Sequence, residues 1–226
     1  MNSQILNKLV AAARQLQLQS AALSKGYYYS SLSLCLVDSI FSIGVRYAAV
    51  ERVVARVVKQ TNIEPDRRKI GYDPLPLNLF VEAAKEADQA TLFQNLQRTS
   101  SRGGILKSDA VVLAAQSLID ARILTLQDFQ SSPDGMLKNA ERSFRTVKGQ
   151  KSGISWLYLR MLAGDDGQVK PDRHILRFIK KATDLEVNSD EAVMLIQETS
   201  ACLKADFSNM TPRLLDHEIW KSESGK

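Results

Sequence analysis

At 226 residues the chain has room for one domain or for two intimately packed lobes. Apolar residues make up 44% and charged residues 24%, an ordinary globular balance, and no apolar run approaches the ~18 residues of a membrane span. The net charge of +5, with a pI near 9.2, tilts the chain mildly toward an anionic partner and does not by itself specify one.

The first segment, MNSQILNKLVAAARQLQLQS, lacks the basic region, apolar core and small-residue site of a secretory signal and reads as an amphipathic helix. Tyr27, Tyr28 and Tyr29 follow; such a cluster belongs more often to a core or lobe interface than to a base-stacking platform. The nearly continuous apolar run from Leu32 to Phe41 predicts a central helix walled by others, interrupted at Gly44. Val50, Val53, Val54 and Val57 then recur at helical spacing in a basic segment carrying Arg46, Arg52, Arg56 and Lys59. Residues 61–78 hold three of the six prolines and form a connector, the expected lobe boundary.

Further helices are predicted over Leu79 to Arg98, Lys107 to Asp120, Leu124 to Phe129 and Gly135 to Phe144. Asn188 with Glu191 forms a capping box for a helix running to about Leu203. Thr211-Pro212 supplies an N-cap and an N1 proline for a last helix ending near Trp220. The fold class is all-α, with lobe A at about residues 1–60 plus 182–226 and lobe B at about 79–181. Cys35 and Cys202 lie in apolar helical surroundings and read as buried thiols of a reducing cytoplasm.

Two stretches carry candidate chemistry. The turn from Val147 to Gly153 contains Gly149 and Gly153, which let backbone amides approach a phosphate, with Lys148, Lys151 and Ser152 beside them. Such a grip holds a nucleic-acid backbone without reading its sequence. The plainer alternative is a helix–helix turn with Ser152 as N-cap. Arg102-Gly103-Gly104 forms a second basic loop suited to a phosphate contact. Asp172 stands just ahead of RHILRFIKK, so it caps that helix and also presents a carboxylate able to stabilise a cationic sugar or activate water. Asp165 and Asp166 are rival carboxylates in a Gly-flanked, solvent-facing loop. The only histidines, His174 and His217, come without further ligands, so no metal site is predicted, and no P-loop, dinucleotide fingerprint or nucleophile elbow occurs.

In this order the residues resemble the helix-hairpin-helix DNA glycosylase superfamily, the endonuclease III and adenine glycosylase group. The hairpin is followed by GISWLYLRMLAG and then by Pro171-Asp172-Arg173-His174-Ile175, where the family has a Val-Asp-Thr-His-Val type segment. Gly104 to Ala110 echoes the family's segment before the hairpin, and Ser39 to Gly44 echoes its early Leu-Ser-x-Gln helix end. The resemblance covers about residues 30–182.

It implies a two-lobed helical fold and a monomeric enzyme that binds double-stranded DNA. Such an enzyme extrudes a modified or mismatched base and cleaves its N-glycosidic bond in a pocket beside Asp172. It implies DNA contacts from Lys148, Gly149, Lys151, Ser152, Gly153, Arg102 and Gly104, and a cytoplasmic location, nucleoid-associated in a bacterium. Three departures stand out. Gly153 occupies the position of the nucleophilic lysine of bifunctional members, which points to hydrolysis without lyase activity. Gly44 stands where the family inserts a Gln, and the four-cysteine motif is absent, so no iron–sulfur cluster or other cofactor is expected. The rival expectation is a non-catalytic helix-hairpin-helix DNA-binding module.

Overall fold

Helix α2, Leu32–Phe41, shows how this chain builds its interior, for all ten of its residues are buried. It starts where Ser31 accepts a hydrogen bond from the Ser33 amide. Buried Asp73 reinforces that start, accepting from the amides of Leu32 (3.0 Å), Leu75 (2.9 Å) and Leu126 (2.8 Å). At the other end the buried Lys107 ammonium donates to the carbonyls of Phe41 (2.9 Å) and Ile43 (2.7 Å). A cation on the last carbonyls of a helix satisfies them and suits its negative end.

The computed structural model describes residues 3–87 and 89–225. Among these residues every named element is helical, and the only β pairing is two isolated bridges, Tyr29–Asp66 and Arg98–Leu106. No helix among them is long and apolar enough to cross a membrane. The chain divides into a larger unit, Lys25–Gly164, and a smaller one made of Met1–Ser24 with Asp165–Lys226.

In the larger unit α2 packs against α3 (Tyr47–Thr61), α6 (Lys107–Asp120) and α9 (Ile154–Ala163). Helix α3 buries Val50, Val53, Val54 and Val57, the predicted stripe. Helix α4 (Leu77–Glu86) and helix α8 (Asp134–Thr146) both pack on α6, while α7 (Leu126–Ser131) packs on α9. Trp156 of α9 is fully buried between Phe129 and Phe144, whose ring centres lie 5.6 and 5.4 Å away. Tyr27 and Tyr29 are core residues, whereas Tyr28 lies under the Arg68 guanidinium, 4.2 Å from its ring centre.

In the smaller unit α1 (Ser3–Ala13), α10 (Arg173–Thr183), α11 (Ser189–Leu203) and α12 (Pro212–Ser224) share a core. Leu9, Ala13, Ile175, Ile179, Ala192, Ile196, Leu215 and Ile219 belong to it. Both predicted caps form: Asn188 and Glu191 make a reciprocal capping box, and Thr211 accepts from the Leu214 amide.

Three expectations change. The single helix over Leu79 to Arg98 crosses residue 88, which lies outside the described residues. Around it stand α4 and α5 (Gln89–Phe93), and helix ends before Gln94, whose φ is +44°. From there the backbone is drawn into a paired turn by Thr99 N–H to Ile105 O and Lys107 N–H to Gln97 O, both 2.8 Å. Helix α12 continues past Trp220 to Ser224, where Gly225 ends it in the left-handed region. Cys35 is buried, but Cys202 is exposed, because the inward positions at the end of α11 are Thr199, Ser200 and Leu203.

Candidate functional site

The loop between α8 and α9 is a tight hairpin with its polar groups divided between inside and outside. Gln150 is buried, its amide donating to Val147 O (2.9 Å) and its side-chain carbonyl accepting from the Ser155 hydroxyl. Arg145 reaches back from α8 to donate to Lys151 O at 3.1 and 2.9 Å. The Gln150 bonds hold the loop from within, and the exposed Arg145 bonds hold it from the surface of α8. Lys148 and Lys151 remain exposed at its tip.

Glycine is required here for two reasons. Gly149 has φ +93°, and a Cβ on it would fall 2.3 Å from Thr99 Cβ. Gly153 has φ +77° and fills the N-cap position of α9, so Ser152 does not. The Ser152 hydroxyl sits 3.5 Å from the Ile154 amide, a weak contact. The Gly153 amide, expected on a phosphate, donates to Gln150 O at 3.0 Å within the loop. Among the described residues the amides of Gly149 and Lys151 have no acceptor.

Thr99 belongs to the 97–107 turn, so the packing at Gly149 brings the two basic loops of the larger unit side by side. Arg102 is exposed at the tip of that turn, its carbonyl accepting from the Ser100 hydroxyl at 2.9 Å. Gly104 is buried, and a Cβ there would lie 2.4 Å from the Ser100 nitrogen. Its carbonyl accepts from Arg98 Nε at 2.9 Å. Gly104 thus closes the turn, while Arg102 supplies its charge.

Asp172 lies in the smaller unit, half-buried, as the N-cap of α10, with Oδ1 accepting from the His174 amide at 2.8 Å. Its own amide donates to Lys170 O at 2.7 Å, and the Lys170 amide donates to Asp216 Oδ2 on α12 at 2.8 Å. Burial, and then the charge of Asp172, push the Asp216 carboxyl up to about 8. Burial holds the His174 imidazole below its ordinary value, partly opposed by Asp172, and its Nδ1 is buried without a hydrogen-bond partner. Asp165 and Asp166 have structural work: Asp165 accepts from Gly167 N–H and Gln168 Nε2, both at 3.0 Å, and Asp166 pairs with Arg213 at 2.6 Å. Among the described residues no group of His, Cys, Asp or Glu side chains is arranged to hold a metal ion.

Asp216, Arg145 and Thr99 escaped the sequence reading. Asp216 had one available signal, an acid inside the apolar run of RLLDHEIW.

The model of one family, Domain of unknown function (DUF8548), matches residues 7–224. The chain belongs to DUF8548. The match takes in the hairpin, the 97–107 turn, Asp172 and Asp216, so these features lie inside the stretch that DUF8548 defines. No curated protein and no solved structure matches this DUF8548 chain.

Proposed function

We propose that this chain is a DNA N-glycosylase of the helix-hairpin-helix type, hydrolysing the bond between sugar and a modified or mismatched base without lyase activity. The observation that carries the reading is the hairpin: exposed Lys148 and Lys151 flank the acceptor-free amides of Gly149 and Lys151 on a loop braced from inside. Amides without an acceptor and flexible ammonium groups suit phosphates of any sequence, as an enzyme that searches duplex DNA requires. Exposed Arg102, on the neighbouring turn, adds a third cation.

The chemistry falls to Asp172. As the bond to the base lengthens, positive charge grows on the sugar. A carboxylate stabilises that charge and orients or deprotonates the attacking water, whose oxygen bonds to the sugar carbon as the base leaves. Asp172 has the attributes this requires: it is only half-buried, one oxygen is fixed by the His174 amide, and the other has no partner among the described residues. A lysine nucleophile at Gly153 would be strained at φ +77°, which supports hydrolysis over a Schiff base.

Asp172→Asn tests the reading cleanly, because asparagine caps a helix as well as aspartate does. On duplexes carrying alkylated, deaminated, oxidised or mismatched bases, the wild type releases base and leaves alkali-labile abasic sites. The variant binds equally and releases base slower by on the order of 10²–10⁴-fold. Undiminished release by the variant removes Asp172 from the mechanism.

One observation favours a second reading, a DNA-binding module without chemistry. Gly44, where the resemblance expects a gap-filling Gln, has φ +72°, so any side chain there carries backbone strain. Binding of every duplex with no abasic product from any would establish that reading.

A further inference from the structure

We propose that Asp216 is the positioning residue of Asp172, holding from helix α12 the turn that presents the catalytic carboxylate. The inference rests on the reading of Asp172 above. The turn is held by a chain of three hydrogen bonds. Asp216 Oδ2 accepts from the Lys170 amide (2.8 Å), Lys170 O accepts from the Asp172 amide (2.7 Å), and Asp172 Oδ1 accepts from the His174 amide (2.8 Å). The first bond fixes the turn to α12 and the last fixes the side chain to α10. Asp172 is left with one oxygen to offer.

The burial of Asp216 argues that the tether has a purpose. Capping α10 requires Asp172 alone. A second acid in the interior costs desolvation that an apolar side chain would avoid. At 4% exposure Asp216 cannot meet a substrate, so its effect on chemistry passes through the turn. Its raised pKa adds a second effect: at neutral pH it sits largely protonated, so the tether places little charge of its own in the interior. The oxygen that holds Lys170 remains an acceptor in either protonation state.

The variants are Asp216→Asn, which keeps a carbonyl acceptor for Lys170, and Asp216→Leu, which removes it. In the intact chain Asp216→Asn retains slow exchange of the Lys170 amide and wild-type base release. Asp216→Leu quickens that exchange by about tenfold or more and lowers single-turnover release by up to about 10²-fold at unchanged duplex affinity. A protected Lys170 amide in Asp216→Leu, or full release by it where Asp172→Asn is inactive, overturns the proposal.

A readout on the folded wild type covers the case in which leucine prevents folding. The Lys170 amide nitrogen shift titrates with a midpoint near 8, Asp216→Asn abolishes that titration, and Asp172→Asn lowers the midpoint. Free exchange of the Lys170 amide in the folded wild type overturns the tether. Silence of the wild type on every damaged duplex, with the Lys170 titration intact, instead overturns the glycosylase reading and leaves the tether standing.

Discussion

Two neighbours on one helix show burial acting in opposite directions on an acid and a base. Burial, and then Asp172, raise Asp216 to about 8, while burial, and then Lys221, lower His217 to about 4. The stability consequences are opposite too. Between about 4 and 8 the folded chain holds a proton on Asp216 that the unfolded chain has released, so this contribution is full below about 4 and is lost as pH rises to 8. Between about 4 and the ordinary histidine value, the unfolded chain binds the extra proton at His217, so stability rises with pH there. Asp216→Asn keeps the bond to Lys170 and cannot ionise. Urea unfolding should therefore show its stability relative to wild type growing by on the order of 1–3 kcal/mol between pH 5 and pH 8. A constant difference would mean that Asp216 is ionised in the fold. The sequence hints at the burial of Asp216 through its apolar neighbours but not at its partner, because the amide that Asp216 binds lies 46 residues earlier. By contrast, Asn188 with Glu191 and Thr211 with Pro212 were legible as caps, since both partners lie within one helical turn.

Among the elements, the hairpin between α8 and α9 is shaped as much by a neighbour as by its own residues. Its glycines were visible in the sequence, and so was the apolar helix after them. That Thr99 packs against Gly149 was not, because the helix expected over Leu79 to Arg98 gives way to a turn that only its partners at Ile105 and Lys107 define. Gly149→Ala should lower stability by about 1–3 kcal/mol, combining a left-handed φ with a collision on Thr99. Adding Thr99→Gly should recover the collision part alone, so a thermal double-mutant cycle will be non-additive. Strict additivity would show that the two loops do not bear on one another. Helices α2 and α6 begin and end as their sequences predict, because an uninterrupted apolar or periodic run with clear stops is a short-range signal.

The scale of the whole molecule is where the division of the chain and its charge belong. Residues 61–78, expected to mark a lobe boundary, lie inside the larger unit, and the units divide after Ser24 and after Gly164. Prolines signal irregular backbone, but Ser30 N–H to Pro65 O and Arg67 N–H to Tyr28 O, both 2.8 Å, stitch this irregular stretch to the start of its own unit. The net charge of +5 says little about place until exposed and buried cations are separated. Lys107 is consumed inside the larger unit, whereas Lys148, Lys151 and Arg102 face outward. Duplex affinity should fall steeply with added salt, and Lys148→Glu with Lys151→Glu should weaken binding to every sequence alike. It should also reduce the slope of log affinity against log salt by about 2, near 0.9 for each phosphate that is no longer neutralised. An unchanged slope would remove the hairpin from the binding surface.

What the sequence alone determined is the all-helical class, the buried run of α2 and the inward stripe of α3, the caps of α11 and α12, and the glycine-lined turn before α9. All of these arise from residues one or two helical turns apart, so periodicity and capping chemistry carry the information. Tertiary structure alone decided which polar groups enter the interior and whom they meet there: Asp73 with three amides, Lys107 with the end of α2, Asp216 with the Lys170 amide. A buried charge or amide is tolerated only where a distant partner satisfies it, and that partner is supplied by the fold.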